Sequence, residues 1–151
     1  MTILHTVTRR RAAMLVFLLA AVSGCDPLGS TARVKQFEAA ESRWRSAGIT
    51  SYRYVHSLSC FCVTHGSAEV TVIAGQVVRV VSREDGADEP VAYRPAVDSL
   101  FAFVRQQLRD DPGHLTVAYD PALGYPRQVK WGTPENDAGG FVGADSLVAL
   151  R

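Results

Sequence analysis

Two runs of β-branched residues, 69–73 and 77–81, stand back to back with only Ala74, Gly75 and Gln76 between them. A connection that short is a hairpin turn, so the chain folds around an antiparallel pair at this point. Parallel neighbours would need a crossover of about a dozen residues or more, and no room exists for one here.

The patterns on either side extend this sheet and give it a helical layer. Upstream, Val34, Phe37, Ala40 and Trp44 recur at three- to four-residue spacing. They predict a helix capped by Ser30 or Thr31, ended by Gly48, with Lys35, Glu38, Glu41, Ser42 and Arg45 toward water. From Tyr52 the period drops to two. Tyr52, Tyr54, His56, Leu58, Cys60 and Cys62 then share the core face of a strand, and Arg53, Val55, Ser57, Ser59 and Phe61 the other. Residues 83–95 mix charges with Gly86, Pro90 and Pro95 and read as an exposed connection.

A second amphipathic helix follows on Val97, Leu100, Phe101, Val104 and Leu108, with Asp98 near its start and Pro112-Gly113 stopping it. Residues 114–120 alternate again, 121–126 turn the chain, and 127–131 return as the partner strand. Residues 133–140 form a loop, and 141–150 give a last strand placed at the edge of the sheet, its pattern weakened by Gly143, Ala144 and Asp145. The expected fold is α+β: two layers, a mainly antiparallel sheet of five to six strands, and two helices on one face. No glycine-rich phosphate loop follows a strand, which argues against a doubly wound nucleotide-binding fold.

The first 24 residues read as a removable address. Arg9, Arg10 and Arg11 form a basic leader, and the apolar run 12–22 is too short to span a hydrocarbon core of roughly 30 Å. Val22-Ser23-Gly24-Cys25 has the lipobox pattern of a bacterial lipoprotein. Small residues admit the peptidase, cleavage falls between Gly24 and Cys25, and the Cys25 thiol takes acyl chains of the palmitate class. At about 0.8 kcal/mol per buried methylene, two or more chains hold a domain firmly. The arginines also raise a twin-arginine export route, but Ala12 and Ala13 replace the bulky residues such a signal carries next.

This reading divides the chain into signal 1–24, lipidated cysteine and tether 25–30, and a single domain 31–151. The domain is tethered to a bacterial membrane on the extracytoplasmic side, and Asp26 after the cysteine resembles an inner-membrane retention signal. Without the signal the chain carries 13 basic and 15 acidic residues, a net charge of −2. Such a balance gives no basic face for nucleic acid.

The unusual chemistry lies in His56, Cys60, Cys62 and His65. A straight strand sets His56 and Cys62 about 20 Å apart, so those two cannot share one ion without a sharp bend. Cys60, Cys62 and His65 remain compatible with a soft metal. The competing reading is a Cys60–Cys62 disulfide, which needs a local bulge to bring the Cα atoms within about 6.8 Å and would be strained and more reducible for it. Outside the cytoplasm a pair of thiols tends to oxidise. His114, Asp120 and several serines form no nucleophile elbow or close acid pair, so no catalytic site is expected. The aromatics Tyr52, Tyr54, Phe61, Phe101, Phe103, Tyr119, Tyr125 and Trp131 either fill the helix-facing core or line a ligand pocket. Tyr119, Asp120 and Tyr125 frame a rigid turn that offers a candidate binding surface; Pro121 presets it and Gly124 can take a positive φ.

Trp44, residues 48–54, Ser59-Cys60-Phe61-Cys62, the hairpin at 70–81, residues 98–101 and the segment 119–126 resemble, in order and spacing, a bacterial family of lipoproteins and secreted proteins known as domain of unknown function 6174. The resemblance covers most of the mature chain. It implies that Cys60, Cys62, Tyr119, Asp120, Pro121, Gly124, Tyr125 and Pro126 are family features, and it implies no activity; His56 and His65 stand outside the pattern. The expectation is a membrane-tethered envelope module that binds a protein or small ligand, or supports the envelope, without catalysis or cofactor. A thiol-disulfide or metal-handling role for Cys60 and Cys62 is the alternative.

Overall fold

The computed structural model describes residues 27–60, 66–110, 112–132 and 139–151. The cleavage site at Gly24 and Cys25, the residues Phe61, Cys62 and His65, and most of the loop 133–140 lie outside these. Helix α1 runs over Pro27–Ala47 and so opens before the Ser30 expected to cap it. Proline suits a first helical turn, because its ring presets φ and its missing N–H had no partner there. Residues 27–30 are therefore helical rather than an irregular tether.

Strands β1 (Tyr52–Cys60), β2 (Gly66–Ile73) and β3 (Gln76–Ser82) form the first half of the sheet. A short 3-10 turn, Val91–Tyr93, leads into helix α2, Val97–Asp110. After it come β4 (Thr116–Tyr119), β5 (Pro126–Trp131) and β6 (Gly140–Ala149). The hairpin between β2 and β3 turns on Ala74 and Gly75, both at positive φ (48° and 78°), as a two-residue primed turn requires.

The six strands form one antiparallel sheet in the order β3-β2-β1-β6-β5-β4. The last strand is thus central, not an edge: β6 pairs with β1 on one side and β5 on the other. Its small residues suit that place. Ladder bonds come from the backbone, and at Gly143 an added Cβ would lie 3.2 Å from the Phe141 ring. The Leu150 amide, donating to Ser51 O at 2.9 Å, ties the end of the chain to the start of β1.

Both helices cover one face. Phe37, Ala40 and Trp44 of α1 and Val97, Leu100, Phe101 and Val104 of α2 are buried against Tyr52, Tyr54, Val70, Val72, Val129 and Ala144 of the sheet. The Phe37 and Phe101 rings meet edge to face, 6.0 Å between centroids, which joins the helices. Val34, expected on the buried stripe, is 39% exposed. The other face of the sheet is uncovered and mainly polar, carrying Arg53, Glu69 and Thr71. Among the described residues, no helix is long and apolar enough to cross a membrane.

Candidate functional site

Strand alternation sends Tyr52, Tyr54 and His56 of β1 inward in a row, and the first two hold the entry to α2. The Tyr52 hydroxyl accepts from the Val97 amide at 2.8 Å, and the Tyr54 hydroxyl donates to Pro95 O. Trp44 Nε1 donates to Asp98 Oδ1 at 3.1 Å, fixing α1 to the same turn. Burial pushes the Tyr52 hydroxyl up to about 12, against a partial offset from the Val97 amide, and burial raises Tyr54 as well. Both rings therefore act as neutral polar struts in the core.

His56 is different. It is 1% exposed and lies against Arg94, itself 2% exposed. Arg94 grips Glu89 with two bonds, Nε to Oε2 at 2.9 Å and Nη2 to Oε1 at 3.2 Å. Its Nη1 donates to Gly66 O at 3.2 Å and meets His56 Nδ1 at 3.3 Å. A guanidinium only donates, so Nδ1 accepts and the proton of the neutral ring sits on Nε2. Burial first and the Arg94 charge second push His56 down to about 4, which keeps the ring neutral near pH 7. Nε2 has no partner. Leaving a buried donor unpaired costs about 1–3 kcal/mol, so the arrangement needs a reason.

His56 lines a cavity of about 270 Å³ between α2 and the sheet. Its walls are Leu58 of β1, Val142 of β6 and Trp131 at the end of β5, faced by Ser99, Leu100 and Phe103 of α2, with Tyr93 and Pro95 at the entry to that helix; Ser99 and Tyr93 are exposed, so the hollow opens to solvent. Phe103 and Trp131 meet edge to face at 4.9 Å. The indole can lie there because Gly140 opposes it in register, and a Cβ at Gly140 would come 2.4 Å from the Trp131 ring. A mainly apolar hollow with a few polar groups in its wall, here His56, Ser99 and Tyr93, is the usual build of a small-molecule site.

The family of unknown function DUF6174 matches residues 36–139, more than half of the chain. The chain belongs to this family. The matched span holds every cavity residue named above except Val142. No curated protein and no solved structure matches the chain.

Elsewhere in this DUF6174 domain the expected site residues separate. Cys60 is half of a disulfide whose partner lies outside the described residues, as do Cys62 and Cys25. Among the described residues no group of three or more His, Cys, Asp or Glu is placed to hold a metal, and the metal reading turned on Cys62 and His65, which are outside them. Tyr125 does not present a surface: it is buried, edge to face with Trp44 at 6.2 Å. Asp120 is committed to its turn, its Oδ1 accepting from Ala122 N at 3.0 Å and Leu123 N at 2.7 Å. Tyr119 is half-buried beside an open polar hollow of about 270 Å³ that includes the exposed Arg127–Asp145 ion pair at 2.9 Å.

Arg94 and Glu89 fall in the stretch expected to be an exposed connection, and only Glu89 keeps some contact with water. Nothing in their spacing announces a buried pair. His56 carried a signal, since it occupies the core face of an alternating strand between Tyr54 and Leu58.

Proposed function

We propose that this chain is a bacterial envelope lipoprotein, lipid-anchored through Cys25 on the extracytoplasmic side, whose domain binds a small apolar ligand without catalysis. The hollow beneath α2 carries the reading, because Leu58, Leu100, Phe103, Trp131 and Val142 give it a mainly apolar and aromatic wall. Binding rather than chemistry is favoured by how the charges are used: Arg94 and Glu89 hold one another, and His56 stays neutral. The lipid anchor is supported by the basic leader, the short apolar run and the four residues ending in Cys25.

The test uses the full chain expressed in a bacterium and purified from membranes. Mass spectrometry should find residues 1–24 removed and acyl chains on Cys25, with Cys25→Ala unacylated. Tryptophan quenching should report saturable binding of a neutral naphthalene probe, lost in Phe103→Asp. An unprocessed chain overturns the anchor, and absent or non-saturable quenching overturns the binding role.

A second reading, thiol-disulfide or metal handling at Cys60 and Cys62, is favoured by the Cys60 disulfide lying beside a surface hollow formed with Ser59, Gly139, Gly140 and Phe141. A bond reduced readily at the glutathione poise would support exchange chemistry, and one resistant below roughly −300 mV would mark it as structural. Zinc titration of the reduced protein tests the metal branch.

A further inference from the structure

The hollow beneath α2 and the N-terminus of α1 lie at the same end of the sheet. β1 finishes and β6 starts there, with Leu58 opposite Val142, and Trp131 stands one position past Lys130, the partner of Thr116 at the start of β4. Helix α1 runs along β4 away from that end: Gly124 of the β4–β5 turn abuts Ala40, whereas Arg33, two turns earlier, shares a crevice with Leu115 and Val117. At about 1.5 Å per residue, Pro27 lies about 9 Å beyond Arg33, in the direction that leaves the strands. Neighbouring strands are about 4.8 Å apart, so the hollow, which spans β5, β6 and β1, begins one strand from β4 and ends about 14 Å from it. In the sequence, Asp26 alone separates Pro27 from Cys25, so the lipidated residue expected there is held within about 7 Å of the helix. A domain anchored through Cys25 keeps this end, with the mouth of the hollow, next to the lipid.

We propose that the hollow takes an acyl chain of a lipid from the bilayer to which the domain is tethered, the chain lying against Leu58, Phe103 and Trp131. This deepens the reading above and rests on its lipid anchor. The wall suits such a guest, because no residue lining it is charged near pH 7, the buried His56 being neutral. Tyr93 and Ser99 are the exposed members and bring their hydroxyls to the rim, where the polar part of a lipid would lie. Val91, in the same 3-10 turn as Tyr93, is 44% exposed and adds apolar surface beside the mouth. Tryptophan and tyrosine are also the side chains that settle at a membrane–water interface. At about 270 Å³ the space falls just under the usual range for a whole drug-sized ligand, so a length of one chain enters while the headgroup stays outside. The chain itself gains little by leaving one apolar medium for another. The stabilisation comes from taking the aromatic wall out of water.

The experiment places the full, acylated chain in phosphatidylcholine vesicles whose acyl chains carry bromine, a contact quencher of indole, either near the headgroup or close to the methyl end. Methyl-end bromine should quench the Trp131 part of the emission at least as strongly as the shallow bromine, because a chain seated in the hollow brings its end to that indole. Trp131→Phe should be unquenched, since its remaining tryptophan, Trp44, is buried in the core. Phe103→Asp should stay on the vesicles through its anchor yet lose the quenching. Vesicle-bound wild type that is not quenched overturns the proposal, and so does quenching that is strongest from the shallow bromine and survives Phe103→Asp, which marks surface contact only. An unquenched wild type whose naphthalene binding appears only in Cys25→Ala assigns the hollow to the protein's own acyl chain and overturns it too. Those results leave the apolar site itself in place. A chain that is not acylated, or does not bind vesicles, removes the anchor on which the proposal rests, and naphthalene binding absent from both forms removes the site.

Discussion

The helix-covered face of the sheet has a closed end and an open end, built from the same kinds of residue. At the closed end Trp44, Tyr52 and Tyr125 pack edge to face, with Trp44 5.5 Å from Tyr52, and both helices contribute. The indole and both β1 hydroxyls there have partners. At the open end Phe103, Trp131 and His56 surround a hollow, and no described residue of α1 reaches it. Both helices meet the closed end, and of the two only α2 lines the open one. Aromatic content therefore does not distinguish core from pocket; whether α1 joins α2 over it does.

The contrast can be broken most forcefully at Trp44. Trp44→Ala should cost about 4 kcal/mol in denaturant unfolding, whereas Trp131→Ala, half-buried beside existing space, should cost about 2 kcal/mol or less and abolish probe binding. Equal losses would mean that the two ends are one continuous core. Acid comes next. Unfolded, His56 takes a proton near pH 6.5; folded, it resists until about 4, so the folded state binds fewer protons across that window. Its contribution to stability is full above about pH 6.5 and declines toward pH 4 by about 3 kcal/mol, and His56→Leu should lack that decline.

Smaller effects separate two turns. Gly124 has φ +83°, and a Cβ there would lie 2.2 Å from the Ala40 carbonyl oxygen of α1. Gly124→Ala should therefore lose about 2–3 kcal/mol by combining strain with displacement of α1, seen as a lowered Tm. Gly75 has nearly the same φ, +78°, but open space around it. Gly75→Ala should lose only about 1 kcal/mol, the strain alone. Similar losses at both would deny that the 120–125 turn docks on the helix.

Much of the fold was legible because periodicity is a local signal. The β2–β3 hairpin, the α2 stripe from Val97 through Val104 and the inward row Tyr52, Tyr54, His56 all follow from spacing. The errors came where a position depends on distant partners. Val34 keeps the helical period yet is 39% exposed. β6, expected at the edge with a pattern weakened by Gly143, Ala144 and Asp145, lies between β1 and β5, and small residues are well suited to that central position. Tyr125 was a candidate for surface recognition and is instead an anchor for α1.

Within this chain, then, the order of residues by itself determined the element types, the antiparallel returns and the faces of the strands, since each of these depends on neighbours a few positions away. Only the tertiary structure decided that β6 closes the middle of the sheet, that Arg94 and Glu89 leave a polar loop to brace His56, and that one end of the aromatic layer stays open. Those outcomes depend on groups up to about ninety residues apart meeting in space, such as His56 with Ala144, and no local period encodes which of them will be covered.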